Sequence, residues 1–267
     1  LWWSETLRLI GRKRCLAVFP AFVLAAVINL QALQSMQLTN RVEMNVWDGV
    51  FGTLGDWLFF RFIFLLLFAF LTADSVIRDI HSNWAWLVLP RTASRVRWWT
   101  AKVAGLFSAA LAYFLLGLII VFLVSIYQLP YASGFSQYAT GLSSFSQGLG
   151  PLRFPAEANP WMLIGQLVFY SAFAFTVFML IPVTVSLAVR QAYVAPLIPF
   201  VWVFLSHFWQ TSRLLFSLDL IPRLCFCNFY AFRSSLVIQL PTSLLYLALV
   251  GMVCYCVGVY IVRKVDF

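Results

Sequence analysis

Long runs of apolar residues alternate along this chain with short polar stretches. Six of these runs reach or approach the roughly 20 residues that a helix needs to cross about 30 Å of hydrocarbon. They cover residues 15–34, 57–77, 102–127, 161–189, 192–210 and 240–262. Strands of a transmembrane barrel would instead alternate apolar and polar residues over about 10 positions, and the run 115–125 does not alternate. The pattern predicts an all-α integral membrane protein in which residues 1–267 form a single transmembrane domain with six spans.

The first residues of the chain predict a helix that does not cross the membrane. Apolar residues recur there at helical spacing against charged ones: Trp2, Trp3, Leu7 and Ile10 against Glu5, Arg8 and Arg12. Such a pattern is typical of an amphipathic helix lying in the membrane interface. The alternative is an irregular tail with aromatic anchors.

The stretch between the fifth and sixth runs is apolar but interrupted. Its breaks are Arg213, Asp219, Pro222, Arg223 and Arg233. A segment so often interrupted is poorly suited to crossing hydrocarbon, because buried charges there are costly. Residues 211–238 are therefore expected to form short external helices, either interfacial or re-entrant.

Composition agrees with the membrane interpretation. The chain is 63% hydrophobic and 10% charged, with a mean hydropathy of +0.90. A soluble domain of this size needs a more polar exterior. The net charge of +9 does not indicate nucleic acid, because the basic residues lie at the ends of apolar runs. There they act as topology determinants and contacts to anionic membrane lipid.

The distribution of basic residues predicts which side of the membrane each loop occupies. One set of loops contains twelve of them: Arg8, Arg12, Lys13, Arg14, Arg78, Arg91, Arg95, Arg97, Lys102, Arg190, Arg263 and Lys264. The other set contains five: Arg41, Arg153, Arg213, Arg223 and Arg233. The excess predicts that both termini are cytoplasmic.

Several kinds of chemistry have no motif in this sequence. There is no GxxxxGK[ST] phosphate loop, no HExxH and no paired CxxC. Of the two histidines, His207 lies in a predicted span, where a hydrogen bond to a neighbour is expected rather than a metal site. Asp74 is the only acidic residue in a predicted span, which disfavours a proton-coupled carrier. We expect a chain that is not an enzyme and holds no metal or cofactor of its own.

The loop between the second and third spans carries a distinctive pattern. An acidic and basic patch, Asp74 to Asp79, precedes the run Leu89-Pro90-Arg91-Thr92-Ala93-Ser94-Arg95, and Lys102 opens the third span. This arrangement resembles the membrane-spanning subunits of the ABC transporter type-2 permease family. In that family a Leu-Pro-x-Ser-Arg element follows such a patch, whereas three residues separate Pro90 from Ser94 here. The family's common Gly-Thr is replaced by Ser82-Asn83-Trp84.

The resemblance implies a cytoplasmic coupling helix in this loop that docks on a separate ATPase subunit. The residues it assigns to coupling are Arg78, Asp79, Trp84, Trp86, Pro90, Arg91, Ser94 and Arg95. The alternative is that the arginines only anchor the loop to anionic lipid. Spans facing a central cavity in the family would bring four polar residues near cargo: Asn29, Gln31, Ser206 and His207. Each of these, taken alone, could equally make contacts between helices.

The resemblance further implies the permease subunit of an exporter in the bacterial cell membrane. It would act as a homodimer or heterodimer of permease subunits with two ATPase subunits, and ATP and magnesium would be bound by those partners. The mild polarity of the spans suits an amphipathic, peptide or lipid-like cargo. The alternative is a multi-span membrane sensor or scaffold that transports nothing.

Overall fold

A computed structural model describes residues 2–11, 13–40, 43–56, 58–73, 75–76, 79, 94–140, 154–155, 157–189, 191, 194–209, 219–230 and 239–264. Throughout these ranges the regular structure is helical, with no strand. The all-α prediction is therefore confirmed for the part of the chain that the structure describes. Most of the loop between the second and third predicted spans, residues 80–93, lies outside it.

Most helices coincide with the predicted apolar runs or with the predicted amphipathic helix, and α3 is additional. In chain order they are α1 (Trp2–Ile10), α2 (Val18–Asn40), α3 (Val46–Gly55), α4 (Leu65–Thr72), α5 (Arg95–Gln128), α6 (Pro160–Val189), α7 (Val194–Trp209), α8 (Ile221–Leu224) and α9 (Leu240–Lys264). A 3-10 turn, Lys13–Ala17, leads into α2, and a π-helical segment, Phe59–Phe64, leads into α4. Another 3-10 turn, Phe226–Phe229, follows α8.

Four helical stretches in the described ranges are long and apolar enough to cross a membrane. These are Lys13–Thr39, Arg95–Gln128, Pro160–Val189 and Leu240–Lys264. A fifth crossing is obtained if Val46–Gly55 and Phe59–Thr72, which meet at a bend of 57°, are counted as one broken span. Helix α7 has 16 residues, a length of about 24 Å at 1.5 Å per residue. The chain is thus a multi-pass membrane protein with four or five evident spans.

Helices α5 and α6 form the centre of the bundle. Helix α5 packs against α1, α2, α3, α6 and α9. An aromatic cluster fills the space between them: Phe22 stacks on Phe64 with ring centroids 4.3 Å apart, and Phe114 meets Phe175 at 4.7 Å. Such pairs add to the dispersion contacts of the core. In a bilayer these packing contacts replace the hydrophobic effect in holding helices together.

Helices α5 and α9 lie antiparallel. Arg95 Nη1 donates to the Arg263 carbonyl oxygen at 3.2 Å, which satisfies an acceptor at the end of α9. Thr100 Oγ1 and Tyr255 Oη lie 2.8 Å apart one turn further along. The end of α9 therefore lies beside the beginning of α5. We call this region, together with α1, the basal end of the bundle.

The polar stretch before the second predicted span forms a buried helix, α3, at the opposite end. Asn45 caps it: the Asn45 side chain accepts from Trp47 N at 3.0 Å, and Asn45 N donates to Asp48 Oδ2 at 2.7 Å. Ser136 Oγ donates to Asp48 Oδ1 at 2.8 Å. These contacts satisfy the polar groups of the stretch inside the protein.

Replacing Asn45 with alanine is expected to lower the free energy of unfolding by about 1–2 kcal/mol. The change removes the cap and also the bond from Asn45 Nδ2 to the Gly134 carbonyl oxygen at 2.9 Å. Denaturation of the purified protein in mild detergent measures the loss. Asn159→Ala is the control, because Asn159 makes a similar cap at 2.9 Å on Trp161 N in an exposed setting. An equal loss in the two variants would contradict a special role for the buried cap.

The described part of the interrupted stretch, residues 219–230, is folded into the bundle. Residues Leu220 to Cys227 are buried, and this segment packs against α3 and α6. Asp219 Oδ1 accepts from Trp202 Nε1 at 3.2 Å, while Arg223 Nη1 donates to Ser243 Oγ at 3.2 Å. Arg61, fully buried, donates to the Val203 carbonyl oxygen. Asp219 and Arg223, the described charges of this stretch, therefore connect it to neighbouring helices.

Candidate functional site

Among the residues that the structure describes, four charged side chains meet at the basal end with alternating signs. Lys102 Nζ donates to Glu5 Oε2 and to Asp79 Oδ2. Arg8 Nη2 lies 2.9 Å from Asp79 Oδ1, and Arg8 Nη1 lies 3.9 Å from Glu5 Oε1. Each carboxylate thus faces both cations through different oxygens. We call Glu5, Arg8, Asp79 and Lys102 the charge ring.

The charge ring is electrically balanced and largely buried. The side chains of Glu5, Asp79 and Lys102 are 5%, 1% and 7% exposed, whereas that of Arg8 is 36% exposed. Removing charges from water is costly unless each is paired and hydrogen-bonded. Two cations against two carboxylates meet that condition. Of the four side chains, that of Arg8 is the most accessible from outside the protein.

Local structure explains how three distant segments converge. Glu5 and Arg8 are three residues apart on α1 and so lie on neighbouring faces of one turn. Helix α1 approaches α5 closely at Gly105, where an added Cβ would lie 3.0 Å from Glu5 Cβ. Lys102 lies one turn before Gly105 on α5, and its ammonium is 5.6 Å from the centre of the Trp98 ring.

The charge ring borders the loop that was predicted to dock on an ATPase. Asp79 comes immediately before residues 80–93, and Lys102 lies near the beginning of the helix that follows them. Of the residues assigned to coupling, Arg78, Trp84, Trp86, Pro90 and Arg91 lie outside the described residues. Asp79 is in the ring, Ser94 immediately precedes α5, and Arg95 contacts the end of α9.

The structure describes the surroundings of three of the four candidate cavity residues. Asn29 Nδ2 donates to Thr53 Oγ1 at 3.0 Å and to the Gly49 carbonyl oxygen at 3.4 Å, so Asn29 connects α2 to α3. Gln31, two residues further on, is exposed. Ser206 is fully buried in α7. The side chain of His207 lies outside the description. A shared cavity for these residues remains a prediction.

Sequence reasoning named Asp79 but missed the other members of the ring as a site. Glu5 and Arg8 were interpreted as the polar face of an interfacial helix, and Lys102 as a topology determinant. A signal existed: Lys102 is a cation just inside a long apolar run and needs an anionic partner. The sequence could not say which carboxylates supply it. Among the described residues no three His, Cys, Asp or Glu side chains form a group suited to a metal ion.

Comparison with known proteins adds no relative. No protein-family model, curated protein or solved structure matches the chain.

Proposed function

We propose that this chain is the membrane-spanning permease subunit of a bacterial ABC transporter. In this proposal a separate ATPase subunit binds ATP and magnesium, and its movement drives export of an amphipathic, peptide or lipid-like substrate. The permease acts as a dimer with itself or with a related subunit. It lies in the cell membrane with both termini in the cytoplasm.

The charge ring is the observation that carries the proposal. A transporter whose ATPase is a separate chain needs a stiff connection between the docking loop and the spans. The ring joins the residue before the loop, Asp79, to the helix after it through Lys102, and it joins both to α1. Breaking any of these contacts leaves a buried charge without a partner, which is energetically costly. A push on the loop would therefore move α1 and α5 together.

The path of the chain supports six crossings. Helix α2 begins next to α1 and ends where Gln34 Nε2 contacts Gln128 Oε1 at 3.4 Å, near the end of α5. Helix α6 begins near the same region, where the Trp161 ring lies 5.0 Å from Trp47. Since α9 ends beside the beginning of α5, the chain starts and finishes at the basal end. These positions agree with an even number of crossings, and the proposal reaches six by counting α7 and the bent pair as one span each.

Sidedness in the proposal follows from charge. The basal end holds Arg8, Lys13, Arg14, Arg95, Arg97, Lys102, Arg263 and Lys264. The positive-inside tendency puts such an end in the cytoplasm, where a soluble ATPase can reach it.

Co-purification with the ATPase encoded by a neighbouring reading frame tests the function. The wild-type chain is expected to hold the ATPase through purification and to change its rate of ATP hydrolysis in proteoliposomes. Arg91→Glu should weaken the complex about tenfold, the equivalent of about 1.4 kcal/mol, because it reverses a charge on the docking loop. Arg153→Glu is the matched control, since Arg153 is predicted on the other side of the membrane.

Two outcomes would contradict the transporter proposal. One is a chain that is stable alone and binds no ATPase with a P-loop. The other is ATP hydrolysis that responds equally to the changes at Arg91 and Arg153. Either result would favour a membrane sensor or scaffold. If neither outcome is found, the substrate is identified by sensitivity and transport assays with and without the gene.

A further inference from the structure

Helix α1 presents a different surface on each of its two sides. Glu5, Thr6 and Leu9 are buried against the protein. Trp3, Leu7 and Ile10 face outward with 59%, 53% and 42% of their surface exposed. Their spacing of four and three residues makes a continuous apolar face. The charged side of this amphipathic helix is therefore inside the protein, and its apolar side is outside.

The outward face matches a membrane surface in shape and chemistry. A helix with two tryptophans at one end and leucine and isoleucine along one face inserts shallowly at the level of the headgroups. Cations follow directly: Lys13 and Arg14 are exposed, and the Arg14 guanidinium lies 4.8 Å from the centre of the Phe70 ring. With the charge ring neutral, the described surface around α1 is positively charged. Such a surface complements anionic phospholipid.

Arg8 lies on the boundary between this surface and the charge ring. Its guanidinium contacts both carboxylates of the ring, yet its side chain is the only ring member exposed to more than a small extent. Guanidinium groups bind phosphate oxygens through paired N–H donors. Arg8 is next to Leu7 in the sequence, so its exposed part borders the outward apolar face of α1.

We propose that α1 is an anionic phospholipid site in which Arg8 binds the headgroup phosphate and thereby links lipid charge to the charge ring. The longest contact of the ring is the 3.9 Å between Arg8 Nη1 and Glu5 Oε1, and Arg8 Nη1 is buried there. Binding of a phosphate therefore turns the guanidinium away from Glu5 and toward the surface. The contact with Asp79 at 2.9 Å is kept. Anionic lipid then stabilises the position of α1 on α5. This inference does not depend on an ATPase, because it concerns α1 and the lipid alone.

The test uses the full chain in nanodiscs of phosphatidylcholine with increasing phosphatidylglycerol. Quenching of tryptophan fluorescence by brominated phosphatidylglycerol reports binding, and the part lost in Trp3→Phe is assigned to α1. The unfolding temperature in each lipid mixture is the second readout. For the wild type we expect stronger quenching by the brominated anionic lipid than by brominated phosphatidylcholine. We also expect a higher unfolding temperature as the anionic lipid increases.

Arg8→Gln and Lys13→Gln separate a specific contact from general attraction. Lys13→Gln should weaken binding about fivefold, as for any cation near an anionic surface. Arg8→Gln should weaken it by more than about tenfold, because a charge-assisted hydrogen bond is lost as well. Its unfolding temperature should then no longer depend on phosphatidylglycerol. If the two variants lose equal affinity, or if the wild type shows no preference, the proposal is overturned.

Two further experiments address the case in which Arg8→Gln fails to fold and the source of the phosphate. Arg8→Lys keeps the charge but not the paired donors, so its affinity should fall between those of the wild type and Arg8→Gln. Wild-type affinity in this folded variant would overturn the guanidinium contact even if Arg8→Gln fails to fold. Inorganic phosphate added to phosphatidylcholine nanodiscs should leave the unfolding temperature unchanged. A rise equal to that with phosphatidylglycerol would overturn the assignment to lipid.

Discussion

Replacing Lys102 with methionine is expected to lower the free energy of unfolding by about 3–5 kcal/mol. The change leaves Glu5 and Asp79 buried with one partially exposed cation between them, and removing one partner from a buried ionic group costs about this much. Methionine has a similar length, so the expected loss comes from charge rather than from an empty volume. Thermal unfolding followed by size-exclusion chromatography in mild detergent measures it.

Lys13→Met is the matched control for Lys102→Met. Lys13 is an exposed cation near the same end of the bundle, and its loss should change stability by less than about 0.5 kcal/mol. Adding Glu5→Gln to Lys102→Met should restore part of the stability, because it removes one of the two uncompensated carboxylates. A Lys102→Met protein as stable as the wild type would show that the charge ring does not hold α1 on α5.

Replacing Gly258 with leucine is expected to separate α9 from α5. An added Cβ at Gly258 would lie 2.2 Å from Trp99 Cζ2 and 2.4 Å from Trp99 Cε2. Trp99 is fully buried, so the indole ring has no free space into which to move. Overpacking of this kind costs about 1–3 kcal/mol for small additions, and leucine adds more than one methylene. We expect a loss of at least about 3 kcal/mol in the same unfolding assay.

A second glycine provides the control for Gly258→Leu. Nothing lies within 4 Å of a Cβ at Gly165, which is exposed on α6. Gly165→Leu should be neutral or raise stability by up to about 1 kcal/mol, because leucine favours the helical conformation more than glycine does. Trp99→Leu combined with Gly258→Leu should recover stability relative to Gly258→Leu alone. Equal losses at Gly165 and Gly258 would contradict close packing at the Trp99 contact.

The charge ring and the Trp99 contact fix different parts of the same end of the molecule. The ring joins α1 to α5 at Lys102, and Gly258 allows α9 to approach α5 at Trp99, less than one turn before Lys102. Lys102→Met removes the ionic attachment of α1 to α5, and Gly258→Leu removes the close approach of α9 to α5. Both changes are expected to lower the free energy of unfolding, and the matched controls at Lys13 and Gly165 show that each loss comes from the named contact.

Some features could be predicted from the sequence because they depend only on local composition. An apolar run of about 20 residues must be helical in hydrocarbon, since no water is present to satisfy its backbone. This rule gave α6 and α9 nearly to their observed bounds, whereas α2 extends to Asn40 beyond the predicted end at 34 and α5 begins at Arg95 before the predicted start at 102. It failed for α3, because Asp48 and Asn45 look like loop residues until their bonds to residues 129–140 are known.

Small residues show how far a local pattern can go. Ala101, Gly105 and Ala109 are four apart on α5, and α1 approaches this helix at Gly105. Ala17, Ala21 and Ala25 are also four apart, but Ala25 is fully buried whereas Ala17 is exposed. A helix presents several candidate faces, and only the neighbouring helix determines which of them is buried.

By itself, the sequence determined that this chain lies in a membrane as a bundle of helices, with an amphipathic helix at its beginning. Backbone hydrogen bonding in hydrocarbon and the spacing of Trp3, Leu7 and Ile10 are local properties, and local properties can be read along the chain. Only the tertiary structure decided that Glu5, Arg8, Asp79 and Lys102 form one ring, and that residues 219–230 lie inside the bundle. These depend on which helices pack together. A buried charge requires a partner, but its own sequence neighbourhood does not specify which one.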